Sequence, residues 1–166
     1  MYVTTTTEAT TEPVTLTEVK DWLNIATTAK DTILTTSIIA ARKKVEQITG
    51  RSIVARTLKL VINDYSETSI ELPYPEINAI VSVKSTDSEG TETTETDYAL
   101  VNNVLNFVGS GQSLAVTYTT KANTDEFYKL AIKKQIAYDY RNEFNENGFD
   151  KEVKDMLQSV TLNTGF

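Results

Sequence analysis

The chain has 166 residues with no cysteine and no histidine, which removes disulfides, thiolate zinc sites, cysteine nucleophiles and every hydrolase triad built on an imidazole base. Apolar residues make up 40%, enough for one domain with a real core. The formal charge of −7 opposes a grip on nucleic acid, because that grip works through lysine and arginine displacing counterions from phosphate; the same charge serves solubility, or a surface that DNA passes without sticking.

Residues 1–11 are polar and threonine-rich. With neither a basic region nor an apolar stretch they do not read as a signal peptide but as a flexible arm. No apolar run approaches the roughly 20 residues of a membrane span, so no membrane contact is expected and the protein is expected to be soluble inside the cell that makes it. Thr15-Leu-Thr-Glu18 is a capping box, and Leu16, Val19 and Leu23 after it share one face beside Trp22. Asp31 is the next N-cap candidate. Leu34, Ile38, Ala41, Val45 and Ile48 then recur at spacings of four and three, and Gly50 stands where a left-handed C-cap is needed. The opposite face of that helix carries Lys30, Arg42, Lys43, Glu46 and Gln47, read as solvated or subunit-facing.

From Ile53 the period changes to two. Leu58, Leu60 and Ile62 mark one strand, Ile70–Leu72 a second stopped by Pro73 and Pro75, and Ile77–Thr86 a third. Asp87-Ser-Glu-Gly90 is a turn, and Thr91–Thr96 runs back from it. Tyr98–Val101 and Val104–Phe107 make a hairpin around Asn102-Asn103, a pair that tolerates positive φ. Leu114, Val116 and Tyr118 alternate in the last strand. Asn123 caps the next helix, with Glu126 as its box partner, and Phe127, Leu130, Ala131, Ile136, Ala137, Tyr140 and Phe144 line that helix. Phe149, Val153, Met156, Leu157 and Val160 mark a short final one. The spacing thus predicts helices over 15–24, 31–49, 124–146 and 149–158, with strands within 53–119. The fold class is α+β: a small helical body of about four helices, with an antiparallel sheet and hairpin region inserted between the second and third. One domain, 12–158, is expected between the arm and an extended tail, 159–166.

Nothing along the chain reads as chemistry. Gly109-Ser-Gly111 lies between two strands and not ahead of a helix, so it is a turn and not a phosphate cradle. Glu89, Glu92, Glu95 and Asp97 cluster on a hairpin tip with no apolar surroundings to shift a pKa. Asp139, Glu143 and Glu146 lie at helical spacing near Arg141, as on a salt-bridged face. No enzyme, cofactor or metal is expected.

The residues do resemble a family. Glu12-Pro-Val-Thr-Leu-Thr-Glu-Val-Lys20 with Trp22-Leu23, then Ala40-Ala-Arg42, Val45-Glu46 and Thr49-Gly-Arg51-Ser-Ile53, are similar to the opening of phage head-tail connector (adaptor) proteins. Glu71-Leu-Pro-Tyr-Pro75 running into Ile80-Val-Ser-Val83, Tyr98, Ala131-Ile132 and Tyr138–Glu143 continue the likeness to about residue 144. Two places depart from the pattern. Thr119-Thr-Lys-Ala122 stands where the family often has Ala-Gly, and Asn123-Thr124 where a proline often opens the last long helix.

The resemblance implies a structural virion protein assembled in the host cytoplasm. Its copies form a ring, usually twelve, beneath the portal protein. The ring extends the channel through which genomic DNA passes without sequence-specific binding, and it docks the next neck or tail protein. A stopper or tail-terminator subunit and a virion-surface glycan- or receptor-binding module are the alternatives. On this reading Leu157, Leu162 and Phe166 form a portal-contacting tail, with a frayed chain end as the bland alternative. Arg42, Glu46, Gly50, Arg51 and Arg141 are subunit-interface or structural residues, Arg51 pairing with a carboxylate of its own subunit or of a neighbour.

Lys133 and Lys134 are the nearest approach to a basic patch, and both stand near carboxylates. No duplex DNA binding is therefore expected at physiological salt. Fluorescence anisotropy with a labelled duplex checks this, and micromolar affinity that falls steeply with added salt contradicts it.

Overall fold

A computed structural model describes residues 1–66, 68–123, 125–143 and 148–161. In chain order the elements are β1 (Tyr2–Thr7), α1 (Leu16–Leu23), α2 (Asp31–Thr49), β2 (Thr57–Tyr65), β3 (Ser69–Glu71), β4 (Ile77–Thr86), β5 (Glu92–Glu95), β6 (Tyr98–Val101), β7 (Val104–Phe107), β8 (Gly111–Thr120), α3 (Glu126–Arg141) and α4 (Lys151–Gln158). The α+β class stands. The chain divides into two compact units, a β unit of Met1–Ala9 and Val54–Ala122 and a helical unit of Thr10–Ile53 with the chain from Asn123 onward.

In the β unit five antiparallel strands run in the order β1-β2-β8-β4-β5, and three more in the order β3-β7-β6. The period-two pattern fixes the register. Leu58 and Leu60 stand opposite Tyr118 and Val116, and Val83 meets Val116 from the other side. A slip of one residue would turn this whole apolar row outward. Ile70, Leu105 and Phe107 of the smaller sheet join the same core. Asn102 and Asn103 take φ of 48° and 67°, the paired left-handed conformation that a two-residue hairpin requires. Gly111 is needed for space, since a Cβ there would stand 3.0 Å from the Thr86 carbonyl oxygen and 3.2 Å from the Tyr65 ring.

The N-terminal arm is not loose. Residues 2–7 pair with β2, Tyr2 against Val61 through Thr7 against Thr57. Threonine favours extended backbone, and the ladder is made by main-chain groups. All but one of its side chains are exposed, so no alternation of apolar residues announced it.

In the helical unit Val19, Leu34, Ile38, Ala41, Val45, Ile132, Ile136, Val153 and Leu157 form one core. The Thr15–Glu18 capping box forms as expected: the Thr15 hydroxyl accepts from the Glu18 N–H at 3.2 Å, and Glu18 accepts from the Thr15 N–H at 2.7 Å. Two caps fall elsewhere. Lys30 is the N-cap of α2, leaving Asp31 in the first turn, where it pairs with Lys20 at 2.8 Å. Asp125 caps α3 by accepting from Phe127 N–H, and Asn123 accepts the N–H of Asp125 instead. The third helix ends at Arg141 and not at 146. Thr124, Phe144 and Glu146 lie outside the described residues.

Tyr118 is fully buried and its hydroxyl donates to the Pro73 carbonyl at 2.7 Å. Burial pushes the phenol well above its ordinary pKa, so it stays a neutral donor. Tyr118→Phe should leave that carbonyl without its donor and destabilise the protein by about 1–2 kcal/mol. Urea denaturation measures this, and an unchanged midpoint contradicts it.

Candidate functional site

The centre of the helical unit is a charged knot. Arg42 on α2 is 1% exposed. Its Nε and one terminal nitrogen donate to the two Glu12 carboxylate oxygens at 2.7 and 3.0 Å, a two-pronged grip on a residue ahead of α1. Its other terminal nitrogen donates to Glu46 at 2.8 Å. The second Glu46 oxygen accepts the backbone N–H of Ile53 at 2.7 Å. Burial alone would depress the guanidinium pKa, but Glu12 and Glu46 outweigh it and the net shift is upward.

Arg42 and Glu46 therefore do not belong on the solvated or subunit-facing side of α2 to which the helical pattern assigned them. They flank the stripe of Ile38, Ala41, Val45 and Thr49, close enough to be enclosed. Glu12, the residue that makes enclosure tolerable, lies 30 positions away, where periodicity gives no signal.

Gly50 behaves as expected, with φ of 66° and its N–H donating to the Glu46 carbonyl at 2.9 Å. The half-buried Arg51 donates through Nε to the Val160 carbonyl at 3.3 Å. Arg141 is exposed in the last turn of α3, where its charge suits the helix C-terminus. Leu157 is fully buried in the helical core, so it is unavailable to a tail contact. Leu162 and Phe166 lie outside the described residues.

A second polar cluster escaped the sequence reading. Asp139, placed there on a salt-bridged face with Arg141, is buried. It accepts from Lys44 at 3.2 Å and from the Gln135 amide at 2.8 Å. Lys44 also donates to the Gly148 carbonyl at 3.2 Å, and Gln135 accepts the Asp150 N–H at 3.0 Å. Burial raises the Asp139 carboxyl above the usual carboxylate range, outweighing Lys44 and Gln135. The cluster joins α2, α3 and the lead into α4. Its only sequence sign was a Gln and an Asp one helical turn apart.

On the β unit the acidic hairpin is exposed. Asp87 accepts the N–H groups of Glu89 and Thr91 at 2.9 and 2.8 Å, and these hold its carboxyl below the usual range. Among the described residues no three acidic side chains converge in a way that suits a cation. The chain thus carries polar knots inside and differently charged surfaces outside.

Removing the guanidinium should take from the buried Glu46 carboxylate its ion pair with Arg42. Arg42→Met is expected to cost about 3–5 kcal/mol, while Arg51→Ala, which removes the bond to the Val160 carbonyl from a half-buried group, should cost less, about 1 kcal/mol. Paired denaturant curves test the contrast, and equal losses would refute the knot.

The family model for head completion protein matches residues 12–152. No curated protein matches the sequence. Among solved structures, the chain is similar to one in the neck of an empty GTA particle computed with C6 symmetry, with a TM-score of 0.78 and 18% identity over 97% of this chain and 95% of that one. A chain in the virion of the native gene transfer agent particle gives the same values. One in the neck of the native GTA particle computed with C12 symmetry gives a TM-score of 0.67 and 15% identity, at the same coverage. These likenesses share the fold. The family match spans the capping box, the Arg42 knot, every strand but β1 and the long closing helix, and by it the chain belongs to the head completion protein family.

Proposed function

We propose that this chain acts without catalysis as one of about twelve identical copies in a closed ring beneath the portal protein. The ring extends the DNA channel and presents a docking surface to the next neck or tail protein. It forms in the host cytoplasm and remains in the virion. The observation that carries this reading is the head completion family match over residues 12–152. The shared fold with a chain of a neck computed with C12 symmetry supports the copy number. The charge distribution fits passage of DNA: the β unit holds ten carboxylates against four lysine and arginine side chains, a formal −6 of the chain's −7, and such a surface repels phosphate.

Leu162 and Phe166 remain the proposed portal contact. Leu157 is not part of it, because the helical core holds it. The Val160 carbonyl and the Thr161 hydroxyl are bonded back into the helical unit, to Arg51 and to the Leu157 carbonyl.

Electron microscopy of isolated necks tests the ring, and density for this chain anywhere but in a ring between portal and tail overturns it. Truncation after Thr161 tests the tail. The truncated chain should melt like the full one yet bind portal-containing heads more weakly, by roughly thirtyfold per subunit if Phe166 alone contributes about 2 kcal/mol. Full occupancy of the neck by truncated protein removes the tail from the contact.

A further inference from the structure

The outer face of α2 carries an apolar groove of about 410 Å³, with Ile33 and Ala40 among its lining and Lys43 and Lys44 beside them. A second depression shares Ile33 and adds Lys30 and Tyr140. Ile33 is 41% exposed, unusual for an isoleucine on a helix whose other face already fills a core. Three lysines border this surface against two carboxylates, Asp139 and Glu143. Asp139 is buried and paired with Lys44 at 3.2 Å, so the exposed charged side chains at this surface are Lys30 and Lys43 with Glu143.

The opposite chemistry lies on the β unit. The hairpin from Asp87 to Asp97 carries five carboxylates in eleven residues and no cation. Glu89 is exposed at its tip, and Glu92 pairs with Lys84 of β4 at 2.5 Å. Its tip is pre-shaped, because Asp87 clasps two backbone N–H groups and Gly90 supplies a φ of 84°. A rigid tip costs little entropy to dock.

We propose that the α2 groove of one copy receives the acidic β4–β5 hairpin of the next copy. The proposal rests on the ring reading above and says which surfaces close the ring. Identical subunits in a ring meet head to tail, through two unlike surfaces of the same chain. The chain supplies such a pair: the β unit has a formal charge of −6 and the helical unit −1. Contact between two β units would set like charges against each other, whereas hairpin against groove sets carboxylates against Lys30 and Lys43 and covers the exposed face of Ile33.

The absence of native cysteine makes the contact directly testable. Necks are assembled from full-length Lys43→Cys/Glu89→Cys protein and treated with a short bismaleimide, which bridges gaps that a disulfide cannot. The expected result is a ladder of dimer, trimer and higher multiples on a denaturing gel, whereas mixing the two single-cysteine proteins should stop at dimer. In parallel, Lys43→Glu should reduce ring occupancy about tenfold or more, and adding Glu89→Lys should restore it. A ring visible by microscopy with no ladder and no charge-swap rescue overturns the hairpin–groove contact and leaves the ring reading standing. Crosslinking of the hairpin to a different neck protein also overturns it. Necks in which this chain forms no ring overturn both readings.

Discussion

The helical unit depends on the placement of one guanidinium. Arg42 holds together three stretches of chain that helical packing alone would leave independent: the segment before α1 through Glu12, its own helix through Glu46, and the exit toward β2 through Ile53. Apolar side chains could fill the same volume, and a buried ion pair usually adds little net stability over such a filling. What apolar residues cannot do is fix direction. The guanidinium fork accepts the Glu12 carboxylate in one orientation, and Glu46 has one oxygen for Arg42 and one for the Ile53 N–H. Gly50 makes this possible, because its left-handed conformation turns the chain back toward Glu46 within three residues.

The elements legible in the sequence are those whose signal is local. Capping box, Gly50, the Asn102-Asn103 hairpin, the alternation in β2 and β8 and the exact span of β4 were readable because each is set by neighbours within a turn or a strand. What was not readable depends on partners far along the chain. β1 carries no apolar alternation and is held by main-chain bonds to residues 50 or more positions away. Arg42 looked like a surface residue until Glu12 supplied its counter-charge, and Asp139 until Lys44 and Gln135 did. The division into two units was hidden for a similar reason, since each is assembled from two separated stretches.

The same logic separates the candidate residues by role. Arg42 and Glu46 stand in stretches that resemble the family and lie inside, as Leu157 does beyond them, so in this structure all three shape the helical unit. A residue pattern shared across a family can thus mark a scaffold and leave the recognition surface unmarked. The lysine-bordered face of α2 was readable from sequence only as a solvated or subunit-facing one, because its stripe of Ile33, Thr36 and Ala40 is ordinary for an exposed helix.

Charge segregation gives these observations a common physical meaning. In the helical unit two of the cations, Arg42 and Lys44, are committed to internal carboxylates, which fixes shape at low net charge. In the β unit carboxylates outnumber cations ten to four, and the repulsion of that excess disfavours casual association of its surface with copies of itself or with DNA. A subunit built this way has weak reason to aggregate alone, yet each copy carries one acidic and one lysine-bordered surface. Contacts of that kind are individually modest and sensitive to salt, and they become strong when many are closed in a circle, where opening any one costs the geometry of its neighbours.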